Sequence, residues 1–118
     1  NSAGLDHSSR STGMSYHASV AAAKGAVEGL SKSLAAEYAA KRVRFNVIAP
    51  SLTDTPMAER LLNSEQKRER SAERHPLGSV GAPADQAAAA LYLLGDESSW
   101  MTGEVIHVDG GMSSLRTM

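Results

Sequence analysis

Residues 17–50, HASVAAAKGAVEGLSKSLAAEYAAKRVRFNVIAP, decide the architecture. Val20, Ala23, Val27, Leu30, Leu34 and Tyr38 recur at spacings of three and four, which draws one apolar stripe along a helix of roughly residues 17–41. Alanine is abundant on it, which favours helix and lets other backbones approach closely. Lys41 and Arg42 suit its C-terminal end, where cations meet the negative end of the helix dipole. Val43-Arg44-Phe45-Asn46-Val47-Ile48-Ala49 then alternates and becomes continuously apolar. That pattern predicts a short strand, buried on both faces toward its C-terminal end and stopped by Pro50. A helix leading at once into a buried strand points to α/β layers.

Outward from this stretch the signals are punctuation and periodicity. Residues 1–15 are rich in Ser and Gly without periodicity, and read as a flexible N-terminal loop. Ser51–Asp54 form a loop, and Thr55 followed by Pro56 reads as N-cap and first helical residue of a helix to about Asn63. Ser64-Glu65 restarts a polar helix whose charges are a solvated face. HPLGSVGA over 75–82 is a turn-rich connection. Pro83 opens a helix over 83–94 with Ala87, Ala90, Leu91 and Leu94 on one side, and Gly95 stops it. Val105–Val108 is a second short strand, ended by Asp109-Gly110-Gly111. Two strands cannot make a doubly wound sheet, so these elements read as its closing half.

Composition narrows the function classes. The 118 residues carry 12 basic and 13 acidic side chains, which argues against a nucleic-acid binder relying on a basic face. No apolar run approaches the ~20 residues of a membrane span. There is no cysteine, hence no disulfide, thiolate zinc site or cysteine nucleophile. No cluster has metal-ligand spacing. Asn1–Arg10 lack the form of a signal peptide, and a cytoplasmic setting is the default.

Four motifs in order resemble one family. Lys24-Gly25-Ala26-Val27-Glu28-Gly29-Leu30-Ser31-Lys32-Ser33-Leu34-Ala35 is similar to the catalytic helix of the short-chain dehydrogenase/reductase (SDR) family from its Lys onward. Val43–Ser51 resembles the family's following strand, Pro50–Met57 its PGxxxTPM cofactor loop, and Thr102–Gly111 its closing TGxxxxVDGG segment. The resemblance implies an α/β fold, the C-terminal half of a Rossmann-like doubly wound parallel sheet, with residues 16–118 as a partial NAD(P)-binding domain. It implies NAD(P)-dependent oxidation or reduction of a small-molecule alcohol or carbonyl. It also implies a homo-oligomer built through the long helix and the C-terminal segment.

The same resemblance assigns residues. In the family a Tyr exchanges the proton, and a Lys one helical turn later tunes it and holds the nicotinamide ribose. Lys24 takes the Lys position. Pro50, Ser51, Leu52, Thr53 and Thr55 match the loop that meets the nicotinamide carboxamide, with Ser51 in place of the usual Gly. Asn46 matches a position where the strand supports the site by hydrogen bonds, or serves structure alone. Met57, Leu61 and Leu62 would face an apolar substrate or the core.

Two departures accompany it. No glycine-rich phosphate loop occurs, since Gly25 and Gly29 lie on the Lys24 helix and read as packing glycines. The chain therefore reads as a fragment, expected by itself to bind NAD or NADP weakly or not at all. The Tyr position, four before Lys24, holds Val20, which has no ionisable proton. Tyr16 is a candidate displaced donor, or a packing residue before the helix. His7 and His17 are further candidates, with turn or surface histidine as the bland alternative. An impaired SDR-like protein, or a remnant that binds dinucleotide or a partner subunit, is the alternative reading. Asp85 reads as a first-turn helix acid, His107 as a strand-edge residue, and Trp100 as the anchor of the turn before Thr102.

Overall fold

The computed structural model describes residues 18–118; His7, Tyr16, His17 and the N-terminal loop lie outside the described residues. In order come α1 (Ala18–Tyr38) with a 3-10 turn (Ala39–Lys41), β1 (Val47–Pro50), and a 3-10 turn (Pro56–Ala58) running into α2 (Glu59–Leu62). α3 (Glu65–Glu73), α4 (Pro83–Leu94) and β2 (Val105–Val108) follow. β1 and β2 are neighbours in a two-stranded parallel sheet. The chain forms two compact units whose boundary passes through both strands.

The first unit holds α1, the chain up to Val47, and Ser99–Ile106. Arg42 closes α1 in the left-handed region at φ 57°, donating its amide to Ala39 O. The Tyr38 and Phe45 rings meet at 5.8 Å between centroids, and the Lys41 ammonium lies 5.7 Å from the Tyr38 ring centre. The strand begins at Val47 rather than Val43, because the residues before it are held by side-chain bonds. Asn46 Nδ2 donates to Met101 O at 3.1 Å, and Asn46 Oδ1 accepts from Glu104 N at 3.2 Å. Arg44 donates to the same Met101 carbonyl, and Phe45 N donates to Thr102 Oγ1. Backbone bonds from Gly103 N to Phe45 O and Val47 N to Glu104 O complete the zipper.

The apolar stripe of α1 is not the face this unit buries. Ala35 is buried, with Glu28, Ser31 and Leu34 half-buried beside it, while Val20, Val27, Leu30 and Tyr38 are exposed. Among the described residues Gly25 and Gly29 are not packing glycines, since an added Cβ would meet none of them within 4 Å. Trp100 anchors nothing at 92% exposure; Asn46, Arg44 and the Thr102 hydroxyl hold that turn instead. The buried strand end is also only half-buried at Val47–Ala49.

The second unit holds Ile48–Ser98 and His107–Met118. Ser64 caps α3 by accepting from Lys67 N. The Asp85 carboxylate accepts the Ala82 amide at 2.8 Å at the start of α4, half of a capping box that alanine cannot reciprocate. At the other end, Ser98 Oγ donates to Leu93 O and Gly95 O. Leu62 and Ala58 are buried, whereas Leu91 and Leu94 of the α4 stripe are exposed. After β2 the chain turns through Gly110 and Gly111, both at positive φ; a Cβ on Gly111 would stand 2.8 Å from Leu115 Cδ1. Asp109 organises this turn, accepting from the amides of Gly111 and Ser113 and, at 2.6 Å, from the Ser113 hydroxyl. Partial burial raises its pKa, but these three bonds and nearby His107 outweigh burial and hold the carboxyl below its ordinary value.

Two outcomes follow. Asn46→Asp puts an acceptor against the Met101 carbonyl, and should destabilise the fold by about 1–3 kcal/mol in urea unfolding. For Asp109 the folded pKa is depressed, so its stabilisation is complete above the unfolded pKa of about 4 and is lost as pH falls through the folded value. Thermal midpoints between pH 6 and pH 2 should therefore fall more steeply for the native chain than for Asp109→Asn.

Candidate functional site

The residues after β1 form a fixed and half-exposed edge. Pro50 ends the strand, and Ser51, Leu52, Thr53 and Thr55 are half-buried. Thr53 folds its hydroxyl back onto Ser51 O at 3.0 Å. Thr53 also pairs with Gly81 in a parallel bridge, through Gly81 N to Leu52 O and Asp54 N to Gly81 O. Gly81 permits this approach, since a Cβ there would stand 3.2 Å from Thr53 Oγ1. Asp54 takes a forked bond from Arg68 of α3 at 2.9 and 3.4 Å. Thr55 is the N-cap residue, but its side chain makes no capping bond. Leu62 packs in the core at 1% exposure, while Met57 and Leu61 face outward.

This edge borders a cleft of about 400 Å³ lined by Ser51, His75, Leu77, Gln86, Val108 and Asp109, among others. His75 is 3% exposed, with Nε2 2.8 Å from Ser51 Oγ and Nδ1 2.7 Å from Ser71 O. Gln86 donates to Val108 O at 2.9 Å. A carbonyl can only accept, so the amide nitrogen must face it, and among the described residues Gln86 Oε1 is left buried without a partner.

The positions inferred from sequence therefore divide between the two units. Pro50, Ser51, Leu52, Thr53 and Thr55 stand together in the second. Lys24 stands on α1 in the first, exposed, with Val20 one turn before it. Tyr16 lies outside the described residues. Asn46 serves the chain's own backbone with both ends of its amide. His107 is exposed on β2. Among the described residues no group of three or more His, Asp or Glu could hold a metal ion, and no helix is long and apolar enough to cross a membrane.

His75 and Gln86 escaped the sequence reading. His75 sits in a stretch that reads as connection, and its one signal was the Ser51 hydroxyl needing a partner. Gln86 is a polar residue leading an alanine run, which marks a side chain turned inward to a backbone group.

A nicotinamide cofactor asks for a rigid backbone edge that meets a planar carboxamide. The Pro50–Thr55 segment fits in that respect, because its hydroxyl and backbone ties to Gly81 and His75 hold it in one path while it stays half-exposed.

Comparison with known proteins gives the family. Residues 4–113 match the family described as Enoyl-(Acyl carrier protein) reductase. The chain is 45% identical over 92 residues to 3-oxoacyl-(acyl-carrier-protein) reductase FabG of Thermotoga maritima, covering 78% of this chain and 37% of that protein. A short-chain type dehydrogenase/reductase structure from Mycobacterium ulcerans superposes with a TM-score of 0.75 at 36% identity, over 81% of this chain and 35% of that one. A 4-hydroxyisoleucine dehydrogenase complexed with NADH superposes with a TM-score of 0.78 at 27% identity, over 84% and 41%. The chain thus spans about two fifths of the length of these relatives. Motif order, the strand–loop–helix path of the second unit and these matches converge: the chain belongs to the short-chain dehydrogenase/reductase family.

Proposed function

We propose that this chain is the catalytic-helix and substrate-side portion of an NAD(P)-dependent oxidoreductase that interconverts a small alcohol and carbonyl. The observation that carries the reading is the fixed, half-exposed Pro50–Thr55 edge, in a family whose members bind nicotinamide cofactors. In this reading the nicotinamide supplies the hydride. Lys24 holds its ribose, and Pro50, Ser51, Leu52, Thr53 and Thr55 hold the carboxamide. Tyr16 is the proposed displaced proton donor. NAD and NADP remain equal candidates, and the cytoplasm is the proposed setting. The domain is proposed to run over residues 16–118.

Val20 supports a second reading, an SDR-like subunit with impaired proton transfer that binds dinucleotide or a partner copy. The exposed α1 face with Val20, Val27, Leu30 and the open Gly25 and Gly29 positions suits such a copy.

Two experiments separate these readings. The chain, joined to the N-terminal half of a family reductase, is compared with its Val20→Tyr and Tyr16→Phe variants. Val20→Tyr places a hydroxyl one turn before Lys24, and carbonyl-reductase turnover should rise by ~10²-fold or more with cofactor affinity little changed. Abolition of a robust native turnover by Tyr16→Phe, with nothing gained at residue 20, would instead make Tyr16 the working acid. Sedimentation velocity of the chain should show an oligomer that Leu30→Arg dissociates; a monodisperse monomer in both would sink the partner-copy reading.

A further inference from the structure

Ser51 stands where the family usually carries glycine, and its hydroxyl meets a buried imidazole. His75 Nδ1 lies 2.7 Å from the Ser71 carbonyl oxygen. That oxygen can only accept, so Nδ1 carries a proton, and in the neutral ring Nε2 must accept. The Ser51 hydroxyl, 2.8 Å away, therefore donates to Nε2. Ser71 belongs to α3 and is as buried as His75. A Cβ on Gly110 would stand 3.5 Å from His75 Cβ, and Leu77 N donates to Gly110 O, so the turn after β2 backs the ring. The imidazole thus bridges the last turn of α3 and the first residue after β1. From Ser51 the restraint continues along the chain, because the Ser51 carbonyl accepts the Thr53 hydroxyl and Thr53 pairs with Gly81.

We propose that His75 is a positioning residue that acts through Ser51. It latches the Pro50–Thr55 edge to α3, so that the edge is ordered before a nicotinamide carboxamide reaches it. The proposal rests on the reading of that edge as the cofactor loop. It deepens that reading by naming a device absent wherever glycine replaces Ser51. Ordering the edge in advance removes that cost from binding, so the latch acts on cofactor affinity and not on the proton or hydride transfer. The two partners act through a single bond. Removing either should have the effect of removing both.

The variants are chosen to cut one bond at a time. Ser51→Gly removes the hydroxyl alone. His75→Asn keeps an amide that can reach Ser71 O but is too short for Ser51. Ser51→Thr keeps the hydroxyl and serves as the rescue. Amide hydrogen exchange is measured at Asp54 and Gly81, whose N–H groups close the Thr53–Gly81 bridge. In this chain, Ser51→Gly, His75→Asn and the double variant should each speed exchange there by about tenfold, the order set by one internal hydrogen bond. Ser51→Thr should match the native chain.

In the chimera used above, NADH and NADPH affinity is followed by fluorescence. The Kd should rise by about tenfold in the first three variants, equally in single and double. Unchanged exchange, or single effects that add in the double variant, overturns the latch. Faster exchange with unchanged Kd overturns its role toward the cofactor. A native chimera that binds neither dinucleotide overturns the proposed function and the cofactor role together, while the exchange measurements still decide whether the latch exists.

Discussion

Asn46 spends both ends of its side-chain amide on the backbone of one turn, donating to Met101 O and accepting from Glu104 N. These bonds join residues 55 and 58 positions apart, so they close a long loop and carry its entropy cost. The reward is register. With Asn46 seated, Phe45 and Val47 fall into backbone bonds with Gly103 and Glu104, and β1 and β2 continue side by side. Because the strands are parallel, the Pro50–Thr55 edge and the Asp109–Gly111 turn leave from the same end of the sheet. That end is where ligands bind in open α/β sheets.

Little apolar surface is enclosed within either unit. Ala35, Ala58 and Leu62 are the buried hydrophobic residues among those described, while Val27, Leu30, Leu91 and Leu94 remain exposed. A chain with so few aromatic residues buries small side chains first, and alanine contributes little area for each residue. Much of the order in the second unit therefore comes from polar ties of defined geometry: Ser64 and Asp85 at helix starts, Asp109 in its turn, and His75 between two segments.

Two substitutions inferred against the family pattern, Val20 and Ser51, are opposite in kind. In the proposed register Val20 removes a proton-bearing group from α1, whereas Ser51 adds a hydroxyl to the loop after β1. Serine on a backbone edge needs a partner once half-buried, and the buried imidazole of His75 supplies one without introducing a permanent charge.

Periodicity and punctuation alone determined much of this protein. Helix α4 was legible residue for residue from Pro83 to the stop at Gly95, and β2 from its apolar run and the DGG turn, because Pro, Gly and capping acids act over a few residues. The family was legible too, from four motifs in order. Other features depended on which surfaces meet. The α1 stripe was plain in the sequence, yet the helix turns Glu28, Ser31 and Ala35 inward, because amphipathic spacing records which face is apolar and not what covers it. The strand began late because Asn46 and Arg44 bind across the chain, a choice no local signal carries. Trp100 stayed outside because polar bonds already held its turn. His75 became a candidate only through burial between Ser71 and Ser51, residues brought together by the turn after α3. Side-chain hydrogen bonds between distant segments exist only once the backbone has placed both partners.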